Sequence, residues 1–258
     1  MKQIDGNSRL WQVNLTLTSD NNPVLHALTE QMRKETYPDA QGWKRLCMLL
    51  IKLGKFDKAQ ELYDILLDQT TTDREKAFIY HQHGWVNKNQ GAYANSIVYY
   101  KQSIEIDKRT LSPIDSNLAA SYTGIGLVYN KMGNYSNALS SHRKALRIYQ
   151  NILPSNHSSW AMSRNNIGSV YDKMGDYSNA LSSRQKALEI YQKTLLPNHL
   201  DFAPTYGHIG MMSSKFGEHS KAVLYCEKAL KIVENALHAN YPNIQLYRNN
   251  LEYVKKKM

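Results

Sequence analysis

An internal echo runs through this chain. The segment Gly126-Leu-Val-Tyr-Asn-Lys-Met-Gly133-Asn-Tyr-Ser-Asn-Ala138-Leu-Ser-Ser returns 42 residues later as Gly168-Ser-Val-Tyr-Asp-Lys-Met-Gly175-Asp-Tyr-Ser-Asn-Ala180-Leu-Ser-Ser. Stepping outward by the same interval finds Gly84 and Gly91 upstream and Gly210 and Gly217 downstream. Small residues keep the same register: Ser96, Ala138, Ala180 and Ala222, then Ser103, Ala145, Ala187 and Ala229. A fixed period of this length means stacked supersecondary units, each too small to bury its apolar face alone. A more divergent unit precedes them, with the same five-residue step from Gly54 to Ala59 and Gly54 lying 37 residues before Gly91. After the last, residues 241–254 read as the first half of a sixth unit with no second half. A helix with a polar outer face is what closes such an array.

Each unit reads as two helices. In the fourth, Trp160, Ile167, Val170, Tyr171 and Met174 recur at helical spacing. Gly175 stops that helix by taking a cap position that needs φ > 0. Ala180, Leu181, Ala187, Leu188, Ile190 and Tyr191 then form a second apolar face, and Pro154 and Pro197 prevent the second helices from continuing. Gly126 and Gly168 fall inside helices, where glycine costs about 1 kcal/mol against alanine. Their recurrence at one register predicts a close approach of the paired helix.

This pattern resembles the tetratricopeptide repeat (TPR). The family's mid-helix glycine of helix A matches Gly84, Gly126, Gly168 and Gly210, and its small residues of helix B match the two small-residue registers above. The usual unit is 34 residues. The 42-residue unit, with Arg164-Asn165-Asn166-Ile167-Gly168, Lys186-Ala187-Leu188-Glu189-Ile190-Tyr191 and Leu196-Pro197-Asn198-His199, resembles the kinesin light chain type. At the aromatic position of helix B, Tyr100 fits, while His142, Arg184 and Cys226 depart from the family pattern. The resemblance implies an all-α, right-handed superhelical α-solenoid of helix-turn-helix repeats. The five units are expected at about 40–70, 77–110, 119–153, 161–196 and 203–238, and a capping helix with a basic tail at 240–258.

The first forty residues lie outside the array. Residues 10–18 alternate strictly, with Trp11, Val13, Leu15 and Leu17 on one side and Gln12, Asn14, Thr16 and Thr18 on the other. That is the pattern of a half-buried strand. Asp5-Gly6 is a turn signal, so residues 1–20 are expected to form a short β-hairpin, followed by a helical connector over 21–39. A lone hairpin is marginal in water, so this one is either an odd N-terminal cap or the remnant of an upstream domain. The segment resembles the last hairpin of an arginine-specific ADP-ribosyltransferase domain. That family's Ser-Thr-Ser and Glu-x-Glu motifs occur nowhere in the chain, so the resemblance implies at most the C-terminal TPR portion of such an enzyme, without its activity.

Composition and motifs narrow the chemistry. No run approaches eighteen apolar residues, which excludes a membrane-spanning helix by sequence, and the N-terminus has no apolar signal core; the cytoplasm is the expected compartment. Two distant cysteines, Cys47 and Cys226, read as buried packing residues. No Gly-rich phosphate loop, His-Glu-x-x-His or Cys-x-x-Cys is present, so neither cofactor nor metal is expected. His81 and His83 diverge on a helix. His157 and His199, in equivalent loops, suit capping, and Thr70-Thr71-Thr72-Asp73 reads as a helix N-cap.

What remains is surface. In the TPR family the A helices line the concave face. Counting from the mid-helix glycines places there His81, Trp85, Lys88 and Asn89; Thr123, Leu127, Asn130 and Lys131; Asn165, Ser169, Asp172 and Lys173; and Gly207, Met211, Ser214 and Lys215. Lys131, Lys173 and Lys215 are spaced by 42 and are expected to stack as a basic row, and Asn165 resembles the asparagine with which light chain repeats clamp a peptide backbone. The net charge of +10, from 32 Lys+Arg against 22 Asp+Glu, favours acidic partners without singling out nucleic acid. The expected function is a non-catalytic protein–protein interaction scaffold that binds extended acidic or polar peptide segments. The kinesin light chain resemblance also implies a cargo adaptor, although no heptad run of three units is present for a heavy-chain coiled coil.

Overall fold

The computed structural model of the chain describes residues 2–3, 11–12, 42–110, 115–236 and 242–257. Two compact units result, 1–62 and 63–258. In the first, β1 (Lys2–Gln3) and β2 (Trp11–Gln12) lie antiparallel, with Lys2 opposite Gln12 and Gln3 opposite Trp11. The remaining residues of the expected 1–20 hairpin, the strand's Val13, Leu15 and Leu17, and the 21–39 connector lie outside the described residues, so the ADP-ribosyltransferase resemblance rests on sequence. The same unit holds α1 (Gly42–Lys52) and the start of α2 (Phe56–Gln69), with Cys47, Leu49, Ala59 and Leu62 buried.

Among the described residues the rest is helical: α3 (Asp73–Gln90), α4 (Tyr93–Thr110), α5 (Ser116–Lys131), α6 (Tyr135–Ile152), α7 (Ser158–Lys173), α8 (Tyr177–Thr194), α9 (Phe202–Lys215), α10 (His219–Ala236) and α11 (Pro242–Lys255). The helices pack as A/B pairs, α3 with α4 through α9 with α10, and each B helix packs against the next A helix. Successive A helices α3, α5 and α7 also touch, as do α9 and α11.

The repeated residues explain this packing. Gly54, Gly91, Gly133, Gly175 and Gly217 all have φ between +70° and +80° and end the A helices. The small B-helix residues Ala138, Ala145, Ala180, Ala187, Ala222 and Ala229 are fully buried, because they sit where helix backbones meet. Ser96, in the alanine register, donates from Oγ to the Gly84 carbonyl at 2.6 Å. The A helices of repeats two, three and four begin three to four residues before the expected unit boundaries, at caps. Thr72 accepts from the Glu75 amide, Asp115 from Asn117 and the His157 ring from Ser159.

The mid-helix glycines make room for the residue sixteen positions on. A Cβ on Gly84, Gly126, Gly168 or Gly210 would lie 2.6–3.0 Å from Tyr100, His142, Arg184 or Cys226 respectively. The departures from the aromatic pattern therefore occupy one common seat, and all four side chains are at most 2% exposed. Cys47 and Cys226 are both buried thiols, and burial pushes Cys226, beside Glu227, up to about 11. α11 covers α9 and α10 with Ile244, Tyr247 and Val254 buried. The basic tail is engaged in part: Lys255 pairs with Glu227 at 3.0 Å, and Lys257 lies over the Tyr253 ring.

Candidate functional site

The face made by the A helices is positioned by helix ends. Lys88, Lys131, Lys173 and Lys215 all fall in the last turn of an A helix, just before the stop glycine. There the helix dipole favours a cation by about 0.3–1 kcal/mol, so the fold itself accounts for a lysine at this register. What differs from repeat to repeat is what each lysine meets.

Two neighbouring registers decide that. One holds Asn89, Lys131, Lys173 and Lys215; the other, one residue earlier, holds Lys88, Asn130, Asp172 and Ser214. Lys215 reaches the Asp172 carboxylate at 3.9 Å and lies 3.7 Å over the Tyr177 ring. The corresponding neighbour of Lys173, one repeat back, is neutral Asn130. That of Lys131 is another cation, Lys88, whose ammonium is held below its usual value by burial and then by Lys131. The A-helix face thus runs from like-charge crowding at repeats two and three to a neutralised lysine at repeat five.

Lys88, Lys131 and Lys173 line one cavity of about 770 Å³ together with Asn130 and Ser169, and no carboxylate contributes to its wall. Asn130 Oδ1 is buried there without a hydrogen-bond partner. Tyr93 and Tyr135, the first residues of α4 and α6, close its sides. Sequence reasoning passed over both, although they share one 42-residue register with Tyr177. Lys215 instead lines a separate cavity of about 420 Å³ with Asp172, His208 and Asn250. The three-lysine grouping is therefore Lys88, Lys131 and Lys173.

The other expected residues are tied into the framework. Asn165 donates from Nδ2 to Thr205 Oγ1 at 2.8 Å, bridging α7 and α9, and its Oδ1 is buried without a partner. Thr123 donates to the Ala119 carbonyl. Trp85 packs against the cluster around Tyr100, with Lys88 5.5 Å over its ring. His81 and Ser121 Oγ are 2.9 Å apart, and Ser121 is 3.1 Å from Ser103 Oγ, a buried chain joining α3, α4 and α5. The Ser121 hydroxyl is closed to substrate, at 1% exposure. Burial, and then Lys88, hold His81 down to about 4, so it stays neutral. His83 points elsewhere, stacked on Tyr99 and 3.2 Å from Asp64. His157 and His199 accept backbone N–H bonds through their rings. Among the described residues no group of three or more His, Cys, Asp or Glu side chains is placed to hold a metal, and no helix is long and apolar enough to cross a membrane.

Comparison with known proteins is consistent on the fold. A tetratricopeptide repeat family model matches residues 75–151, 117–183 and 159–235. The sequence has no significant match among curated protein sequences. Among solved structures, BtubC (BKLC) from P. vanneervenii superposes with a TM-score of 0.68 at 20% identity, over 87% of this chain and 88% of that one. A candidate kinesin light chain from Podosopora anserina, with nearly identical TPR-like repeats, gives 0.61 at 18% identity, over 73% and 89%. A Rap protein complexed with competence and sporulation factor gives 0.65 at 17% identity, over 88% and 69%.

Proposed function

The chain belongs to the tetratricopeptide repeat family, and from that premise we propose that it is a non-catalytic scaffold whose A helices line a concave groove for an extended, acidic peptide segment. The observation that carries this reading is the cavity where Lys88, Lys131 and Lys173 gather from three successive repeats with no carboxylate in the wall. Bringing like charges together is unfavourable, whereas an acidic segment laid across them is drawn in by complementary charge. Asn130 lines the same cavity and brings an amide of the kind that pairs with a peptide backbone. The Rap protein in complex with competence and sporulation factor supports a docking role for folds of this kind. The charge gradient along the A helices gives the ligand a direction, with its acidic end over α3 and α5 and its polar end toward α9.

The test uses labelled acidic peptides, titrated at two salt concentrations against the full chain. Lys88→Gln combined with Lys131→Gln is expected to weaken binding at least tenfold and to flatten its salt dependence. Lys215→Gln, which removes a lysine already engaged by Asp172, is expected to change affinity less than twofold. Equal losses from the two variants, or none from the pair, would refute the reading.

A further inference from the structure

The repeat period separates scaffold from addition. A residue that recurs every 42 positions needs no cause beyond the framework; one that breaks the period needs another. One cleft, between the B helices α4 and α6 with α5 as its floor, is bordered in part by the second kind. Its volume is about 670 Å³. The α5 residues it uses, Tyr122, Ile125 and Tyr129, project roughly 160° around the helix from Leu127, Asn130 and Lys131 of the lysine-lined cavity, at about 100° per residue. The two cavities therefore open on opposite sides of α5.

Cations converge here from two helices. Lys108 Nζ lies 5.9 Å and Lys144 Nζ 5.4 Å from the Tyr122 ring centroid, so the two ammonium groups stand within about 11 Å of each other. Lys101 lines the same cleft two turns earlier on α4. Glu105 is its one lining carboxylate, and Arg109 is already paired with Asp73 at 3.0 Å. Among the described residues no carboxylate lies within ion-pairing distance of Lys101, Lys108 or Lys144. In later repeats the register of Lys101 holds Arg143, Gln185 and Glu227, and that of Lys108 holds Gln150, Gln192 and Glu234. Lys144 keeps the period as Lys186 and Lys228, and Lys228 lies 5.8 Å from the Tyr206 ring at the register of Tyr122; Lys101 and Lys108 break it, and they bring three lysines into one cleft at the junction of repeats two and three.

We propose that this cleft is a second binding site, independent of the A-helix face, for a small organic phosphate of nucleoside-diphosphate size. Lysine binds phosphoryl oxygens as a point charge. Three unpaired ammonium groups against one carboxylate leave a surplus of two positive charges, which a multiply charged phosphate neutralises and a single carboxylate does not. The phosphates lie between Lys108 and Lys144 with Lys101 in reach, and the organic body lies on the apolar floor of Ile104 and Ile125. The cleft volume is within the range usual for small-molecule sites.

Calorimetric titration of the full chain with ADP and, separately, with inorganic pyrophosphate tests this. ADP is expected to bind saturably and more tightly than pyrophosphate. Lys108→Gln with Lys144→Gln is expected to weaken ADP at least tenfold. Lys186→Gln, at the register of Lys144 one repeat on, and the pair Lys131→Gln with Lys173→Gln on the A-helix face are expected to change it less than twofold. Circular dichroism confirms that each variant is folded. Absence of saturable ADP binding at millimolar concentration overturns the proposal. So does an equal loss from Lys186→Gln, or pyrophosphate binding as tight as ADP. None of these outcomes bears on peptide binding by the A helices.

Discussion

Tyr100 shows how much one side chain decides. Its ring base lies over Gly84, and its tip reaches Gly124 in the next repeat, where an added Cβ would come 2.4 Å from the ring. The positions equivalent to Gly124 hold Asn166 and His208, and those equivalent to Tyr100 one repeat earlier hold the shorter His142 and the buried Arg184. A full-length aromatic at this seat needs a glycine opposite; a shorter ring does not. Gly124→Ala should therefore cost about 1–2 kcal/mol, because overpacking outweighs the gain of about 1 kcal/mol in helix propensity. Tyr100→His should relieve most of that cost, so a double-mutant cycle read by urea unfolding should show strong positive coupling. If Gly124→Ala alone raises the midpoint, the contact is absent. The mid-helix glycines were legible from their period. The Tyr100–Gly124 pairing was not, because Gly124 breaks the period and its partner lies across a repeat boundary.

At the scale of the element, helix ends carry the fold. Each A helix stops at a glycine with φ near +75°, and the next B helix starts two residues later, with Asn134 or Asp176 capping α6 or α8 through the amide of the third residue on. A left-handed conformation costs a non-glycine residue roughly 1–2 kcal/mol, so Gly175→Ala should lower the unfolding free energy by about that amount. Gly175→Asn should lower it less, since asparagine tolerates this region. An unchanged thermal midpoint for Gly175→Ala would show that the turn relaxes. These stops were readable because glycine there has a single purpose. The A helices of repeats two, three and four start three to four residues before the expected unit boundaries, at Thr72, Asp115 and His157; the first two are ordinary cap residues, and the third caps with a ring nitrogen. The fate of Lys215 also turned on its surroundings: its register matched Lys131 and Lys173, but only Lys215 meets Asp172.

Across the whole molecule, buried imidazoles set the acid limb of stability. Burial holds His142 down to about 4, His81 likewise with Lys88 assisting, and His208 likewise with Arg184 assisting. The unfolded chain takes up these protons near pH 6.5. Between about pH 4 and 6.5 the unfolded state therefore binds more protons, and stability rises with pH. Asp107 works the other way. Burial, and then Asp115, raise its carboxyl to about 6, so across that window the folded state keeps a proton the unfolded chain has lost. Three imidazoles outweigh one carboxyl, and the urea midpoint should fall on acidification from pH 7 to 4.5. His142→Cys, which matches Cys226 at this register in repeat five, should flatten the fall; a profile as steep as that of the parent would assign the effect elsewhere.

Residue order alone established the repeat, its helix pairs and the residues where helices touch, because those depend on local periodicity and on glycine and alanine doing jobs no other residue does. It also marked the face carrying the lysines. Only the tertiary structure decided which lysines share a cavity, which one is neutralised, and that a second basic cleft opens behind α5. Those outcomes depend on side chains about forty residues apart meeting at a particular distance, and a charge on a helix surface has no fixed meaning until its neighbours from other helices are in place.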